Sequence, residues 1–293
     1  MDNPGPLVTN EWLAAHLGDP SLRLIHVGLE RDEYSQGHIA GAIWSDLHVD
    51  LARGGTRSET GDVRRMYLLP TLAEVTETLA AWGVGPNDRV VFYDGPAGYN
   101  RQAARGYWLL RLYRFPQARV HVLDGGLKYW TAQGGVVTQE AAAVAPVAGE
   151  VAAARLGPAD ASILATAEEV LRWSAEATAY GGPTRLLDVR AIDEFLGRDV
   201  RARRGGRIAG SRHRLYTDFV APDGRLRSPE EALAILRGTG VEPEHLRATY
   251  CQGGVRAALV WFVLHELAGL SEVRNYAESW DEWGNRPELP VEK

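Results

Sequence analysis

Short apolar runs punctuate the chain at Leu24-Ile25-His26-Val27, Val90-Val91-Phe92-Tyr93, Leu186-Leu187-Asp188-Val189 and Ala248-Thr249-Tyr250, and each predicts a strand. Between them stand helix-start signals. Thr71-Leu72-Ala73-Glu74 has the Thr-x-x-Glu pattern in which hydroxyl and carboxylate cap each other's orphan amides, and Ser228-Pro229-Glu230-Glu231 adds proline at the first helical position. Thr9-Asn10-Glu11-Trp12-Leu13 and Thr166-Ala167-Glu168-Glu169-Val170 open two further helices. Gly83-Val84 and Gly240-Val241 close the helices begun at Thr71 and Ser228. Alternating strands and helices predict an α/β protein, each domain a mostly parallel sheet with helices on both faces.

The landmarks repeat at one offset. Thr9 and Thr166, Thr71 and Ser228, Gly83 and Gly240, and Val84 and Val241 are each 157 residues apart. Each half also carries an acidic-aromatic step, Asp32-Glu33-Tyr34 and Asp193-Glu194-Phe195, and then a turn, Gly37–Ala42 and Gly206–Ser211. The chain is therefore read as two copies of one domain. Residues 1–135 form the first and 161–293 the second, joined by an alanine-rich linker over 136–160 that shows no sustained period and is expected to lie along both domains.

Composition narrows the function. The chain has 293 residues, 45% hydrophobic and 24% charged, enough for two globular cores at roughly 150 residues each. Its longest apolar runs, Ala141–Ala148 and Ala257–Leu264, are too short to cross a bilayer, so no membrane role is expected. The opening Met1–Pro6 lacks the basic and apolar regions of a secretory signal and predicts a cytoplasmic protein. A net charge of −6 disfavours nucleic acid as a partner. A single cysteine, Cys251, excludes an intrachain disulfide and a cysteine-built zinc site, and the eight histidines show no metal-binding spacing. His38 and His213, in the repeated turns, are read as structural.

That cysteine sits where chemistry is expected. The strand Ala248–Tyr250 gives way to Cys251-Gln252-Gly253-Gly254-Val255-Arg256 and at once to the apolar helix beginning at Ala257. Paired glycines let the backbone turn its amides inward. Those amides and the helix dipole would stabilise a Cys251 thiolate, making it a nucleophile near neutral pH, with Arg256 adding positive charge. At the same offset Tyr93-Asp94 aligns with Tyr250-Cys251, so the first domain carries a carboxylate where the second carries sulfur.

These residues resemble the tandem-domain rhodaneses, the thiosulfate and 3-mercaptopyruvate sulfurtransferases. The likeness is carried in order by Gly37-His38-Ile39-x-Gly41-Ala42, Asp124-Gly125-Gly126-Leu127-x-x-Trp130, Leu186–Arg190 with Glu194-Phe195, the loop Cys251–Arg256, and Tyr276-x-x-Ser279-Trp280-x-Glu282-Trp283. The resemblance implies a ping-pong reaction in which Cys251 takes the outer sulfur of a donor, becomes a persulfide, and passes the sulfur to cyanide or another thiol. Amides of Gln252, Gly253, Gly254, Val255 and Arg256 would hold the persulfide charge with no metal or organic cofactor. Arg190 and Arg256 are the candidates for the donor's oxyanion end, with a structural ion pair the alternative for Arg190. Asp188 is expected to order the loop. Asp94 cannot accept sulfur, so one turnover site per chain is implied, the first domain walling the cleft and the protein acting as a monomer.

Departures from the family pattern bear on the donor. Gln252-Gly253-Gly254 is neutral, as in members specialised for mercaptopyruvate, whereas Arg256 restores a charge and favours thiosulfate. Glu194 stands where some members place a substrate-binding arginine, Ala277-Glu278 replaces the usual Asp-Gly, and His213 replaces a common asparagine. Two rivals remain: a phosphatase, disfavoured because only four residues separate Cys251 from Arg256, and a relay module that carries sulfur to a protein without turning over a small donor.

Overall fold

The computed structural model describes residues 4–54 and 67–293. The chain divides into two compact units. The first comprises residues 4–52 with Pro70–Asp160 and Ala221–Leu226. The second comprises Ala161–Val220 and Arg227–Lys293, together with Arg53, Gly54 and residues 67–69. This division departs from a single break in the linker at two short segments. Arg53 and Leu68 bond each other's backbones and belong with the second unit, while Leu226 donates its amide to Asp124 at 2.8 Å and belongs with the first.

In the first unit a five-stranded sheet runs in the order Leu7–Val8, Val120–Leu123, Arg89–Asp94, Leu22–Gly28, Ile43–Asp46, every neighbour parallel. The second unit's sheet runs Arg274–Asn275, Ala248–Tyr250, Leu186–Asp188, Arg212–His213, also all parallel. A lone parallel bridge from Leu164 to Asn275 takes the place of the strand Leu7–Val8, and Leu164 lies one repeat beyond Leu7. The central strands are buried beyond their first residues, as a sheet covered on both faces requires.

Local signals hold where hydrogen-bond chemistry is local. The helices Leu72–Ala81, Ala167–Ala179 and Pro229–Arg237 all begin with reciprocal capping boxes, at Thr71 and Glu74, Thr166 and Glu169, and Ser228 and Glu231. The repeated turns are tied to the central strand in the same way in each unit: the Ile39 amide donates to Tyr93 Oη and the Ile208 amide to Tyr250 Oη, both at 3.1 Å. His38 lies between the carbonyls of Tyr34 and Glu140, and His213 against that of Arg190.

The linker is the main difference. Residues 136–160 contain a strand, Val137–Thr138, antiparallel to His38–Ile39, and a short helix, Gly149–Ala153. The segment packs on the first unit, through Val147 N to Ala80 O at 3.0 Å, Gly157 N to Tyr113 O at 2.8 Å and Asp160 N to Leu112 O at 2.7 Å. Backbone groups hold it there, so side-chain periodicity carries no trace of the docking.

Candidate active site

Tyr250 ends the central strand of the second unit, paired with Asp188, and Cys251 follows as the strand stops. A loop of three residues leads to the helix Val255–Trp261, which continues as a π-helix over Phe262–Leu267. The two glycines are needed for different reasons. Gly254 has φ +75°, and a Cβ there would lie 2.5 Å from the Ala277 carbonyl oxygen. Gly253 is covered by Tyr67, and a Cβ there would fall within 2.4 Å of that ring.

Cys251 is 1% exposed, and the segment Tyr276–Asp281 fixes its backbone. Its amide donates to Ser279 Oγ at 3.0 Å, and that hydroxyl donates to the Tyr276 carbonyl at 2.6 Å. The amides of Trp280 and Asp281 donate to the carbonyls of Cys251 and Gln252 at 3.0 and 2.8 Å. Ser279 holds this position at φ +52°, a left-handed backbone that serine adopts only under constraint. The amides of Gly253, Gly254, Val255 and Arg256, by contrast, bond no acceptor among the described residues. The loop is thus held by its carbonyls and by the cysteine amide, and keeps its following donors for an anion.

The two arginines sit differently from what the sequence suggests. Arg190 is 1% exposed and faces Asp188, with its Nε 3.0 Å from both carboxylate oxygens and a terminal nitrogen 2.6 Å from one of them. It also donates to the Gly206 carbonyl at 2.7 Å and lies 4.5 Å over the Trp280 ring. Arg190 as a donor-binding residue is therefore corrected to a structural one: a guanidinium so enclosed and so bonded does not meet a small anion. The Asp188 carboxylate also accepts the Arg190 amide at 3.0 Å, so its side-chain hydrogen bonds among the described residues all go to Arg190. Arg256, in the first turn of the helix, pairs through its two terminal nitrogens with the two oxygens of Glu194 at 2.6 and 2.9 Å. Burial works against both charges but the pairing outweighs it, holding Glu194 below the usual carboxylate range and Arg256 above its own.

Gln252 is nearly buried, with Nε2 3.3 Å from the Arg201 carbonyl and Oε1 unpartnered among the described residues. Val255 is buried in the helix's first turn. Tyr67 lies close enough to Cys251 for charge to matter: burial first, and then the negative charge of a Cys251 thiolate, push its phenol up, so it remains an O–H donor at neutral pH. Sequence reasoning gave no role to Tyr67 or Ser279. Tyr67 carries no signal, 184 residues before the cysteine. Ser279 stands in a quoted motif, but its left-handed backbone is invisible in one.

The first unit shows what the repeat has lost. Asp94 occupies the strand end and is fully buried, with Oδ2 accepting the Gln102 amide at 3.1 Å and Oδ1 unpartnered among the described residues. Burial pushes its carboxyl up to about 7, against the Gln102 amide and Arg101. Six residues, 95–100, separate it from the helix Arg101–Leu112, twice the spacing at Cys251.

A family model described as the Rhodanese-like domain matches the chain twice, over residues 9–133 and 166–286. The chain belongs to the rhodanese family. Among curated rhodanese relatives, it is 32% identical to a protein of Corynebacterium glutamicum named thiosulfate sulfurtransferase, over 99% of this chain and 91% of that one. Its fold is similar to that of Escherichia coli SseA, described with the rhodanese fold of 3-mercaptopyruvate sulfotransferases, at TM-score 0.74 and 24% identity over 94% and 99% of the two chains. It is also similar to an anaerobic ergothioneine biosynthesis enzyme of Chlorobium limicola, at TM-score 0.77 and 22% identity over 100% of this chain and 71% of that one. Two rhodanese domains, each a mostly parallel sheet with helices, thus account for the repeat. Among the described residues, no helix is long and apolar enough to cross a membrane.

Proposed function

We propose that this rhodanese-family sulfurtransferase moves sulfane sulfur from thiosulfate to cyanide or another thiophilic acceptor through a persulfide on Cys251. The Cys251 thiolate attacks the outer sulfur of thiosulfate, and the donor's S–S bond breaks with its electron pair leaving on sulfite. The terminal persulfide sulfur is then attacked by cyanide, giving thiocyanate and regenerating the thiolate. No metal or organic cofactor enters either half-reaction. The reading is carried by one observation: the chain's single cysteine stands at a strand end with its backbone clamped, and the amides of Gly253, Gly254, Val255 and Arg256, which bond no acceptor among the described residues, can receive the charge of a persulfide. The thiosulfate sulfurtransferase name of a relative 32% identical supports thiosulfate as donor. The neutral run Gln252-Gly253-Gly254 favours 3-mercaptopyruvate as the second donor to try.

Intact mass measurement after mixing with thiosulfate, or with 3-mercaptopyruvate, tests the proposal. One added sulfur atom per chain is expected, removed by cyanide and absent in Cys251→Ala. Equal masses for wild type and Cys251→Ala with both donors would sink it. Steady thiocyanate production separates an enzyme from a relay module, which would load once and stop.

A further inference from the structure

Arg256 is the cation of the cysteine loop, and it reaches that loop already paired. Glu194 takes both of its terminal nitrogens, at 2.6 and 2.9 Å. The carboxylate is 2% exposed, and its Oε2 also accepts the Ala191 amide at 3.0 Å, so Glu194 is anchored from its own helix start as well. Arg201, half exposed, comes within 4.0 Å of Oε1 but is paired more closely with Asp199, at 3.0 Å. Arg190 is enclosed against Asp188. The positive charge that the cysteine loop offers a donor is therefore largely cancelled by one buried carboxylate.

We propose that Glu194 is the specificity-determining residue of the donor site, holding Arg256 in a two-point pair and so discriminating against doubly charged sulfur donors in favour of singly charged ones. The inference rests on the Cys251 persulfide reading but not on thiosulfate as the donor, and it ranks singly charged donors above thiosulfate. Its physical basis is that a fixed charge acts on a bound ion in proportion to that ion's charge. The repulsion from Glu194 is twice as large for a dianion as for a monoanion in the same place. Two donors of matched chemistry isolate this effect. Thiosulfate, a dianion, gives its outer sulfur to the Cys251 thiolate and releases sulfite. Methanethiosulfonate, a monoanion, gives the same sulfur by the same S–S cleavage and releases methanesulfinate, so neither step needs an added oxidant.

The experiment compares kcat/KM for the two donors, with cyanide as acceptor, in wild type, Glu194→Gln and Glu194→Asp. Glutamine keeps the shape and the acceptor for Ala191 but removes the charge. It is expected to raise kcat/KM about tenfold for thiosulfate and about threefold for methanethiosulfonate, with both gains shrinking as salt is added. Aspartate keeps the charge, so the ratio between donors should stay at the wild-type value even if both rates fall. Should Glu194→Gln fail to fold, Arg256→Gln reads the same law with opposite sign: the factor lost with thiosulfate should be about the square of that lost with the monoanion. An equal change for both donors, in either variant, overturns the proposal and leaves Glu194 a structural partner of Arg256. Absence of any wild-type Cys251 persulfide with both donors would instead remove the underlying reading.

Discussion

The Ser279 hydroxyl fixes the Cys251 backbone by accepting its amide and donating to the Tyr276 carbonyl. Replacing it with alanine leaves a buried N–H without its partner, and Ser279→Ala is expected to lose about 1–3 kcal/mol of stability in urea unfolding and to load sulfur more slowly. Ser279→Gly lacks the same hydroxyl but is at ease at φ +52°. It should therefore unfold at a higher urea concentration than Ser279→Ala while loading sulfur no faster. If the two variants unfold together, the left-handed backbone stores no strain there. Gly253 admits a similar test. Gly253→Ala drives a methyl into the Tyr67 ring and its Cβ, and persulfide formation lost in that variant should return in part when Tyr67→Gly, which removes both, makes room. At this scale the nucleophile could be read from the chain, since strand, cysteine, glycines and helix are contiguous. Its supports could not be read, because Tyr67, Glu194 and Ser279 come from elsewhere in the sequence and meet the loop only after folding.

Among the elements, the loops that follow the two central strands separate the units more sharply than the residues Asp94 and Cys251 do. Three residues join Cys251 to its helix, whereas six join Asp94 to the helix Arg101–Leu112. A thiol at position 94 would thus lack the close set of following amides, and Asp94→Cys should still show one added sulfur per chain after thiosulfate, not two. A second sulfur would show that the nucleophile alone makes the site. Helix starts behave more simply. Ser228→Ala removes one member of a reciprocal cap and should cost about 1 kcal/mol in chemical denaturation. The capping boxes were legible because both partners lie within four residues of each other. The linker's strand and helix were not, because Val137–Thr138 is a strand only by pairing with His38–Ile39, a hundred residues earlier.

For the molecule as a whole, buried ionisable groups in the first unit set a pH dependence of stability. Burial raises Asp94 from an ordinary 3.8 to about 7, so the folded chain binds that proton more tightly than the unfolded chain does. Stability from this group is present below about 4 and is lost as pH rises towards 7. Asp94→Asn removes this pH dependence, so its stability relative to wild type should climb between pH 4 and 7, by on the order of a few kcal/mol. His26 acts in the opposite sense. Burial lowers it from 6.5 to about 4, so its contribution is lost as pH falls through that window. His26→Gln should therefore gain on wild type as the solution is acidified, and thermal unfolding of the two variants across this range checks both signs.

By itself the sequence determined the duplication, the α/β class, the helix caps and the place of the one nucleophile, because each is written in neighbouring residues or in landmarks that recur at one offset. Only the tertiary structure decided what the charges near the cysteine do. Arg190 and Arg256 look alike along the chain, yet Asp188 encloses the first and Glu194 neutralises the second. A charge's effect depends on its neighbours in space and on how much water they exclude, and neither is present in the order of residues.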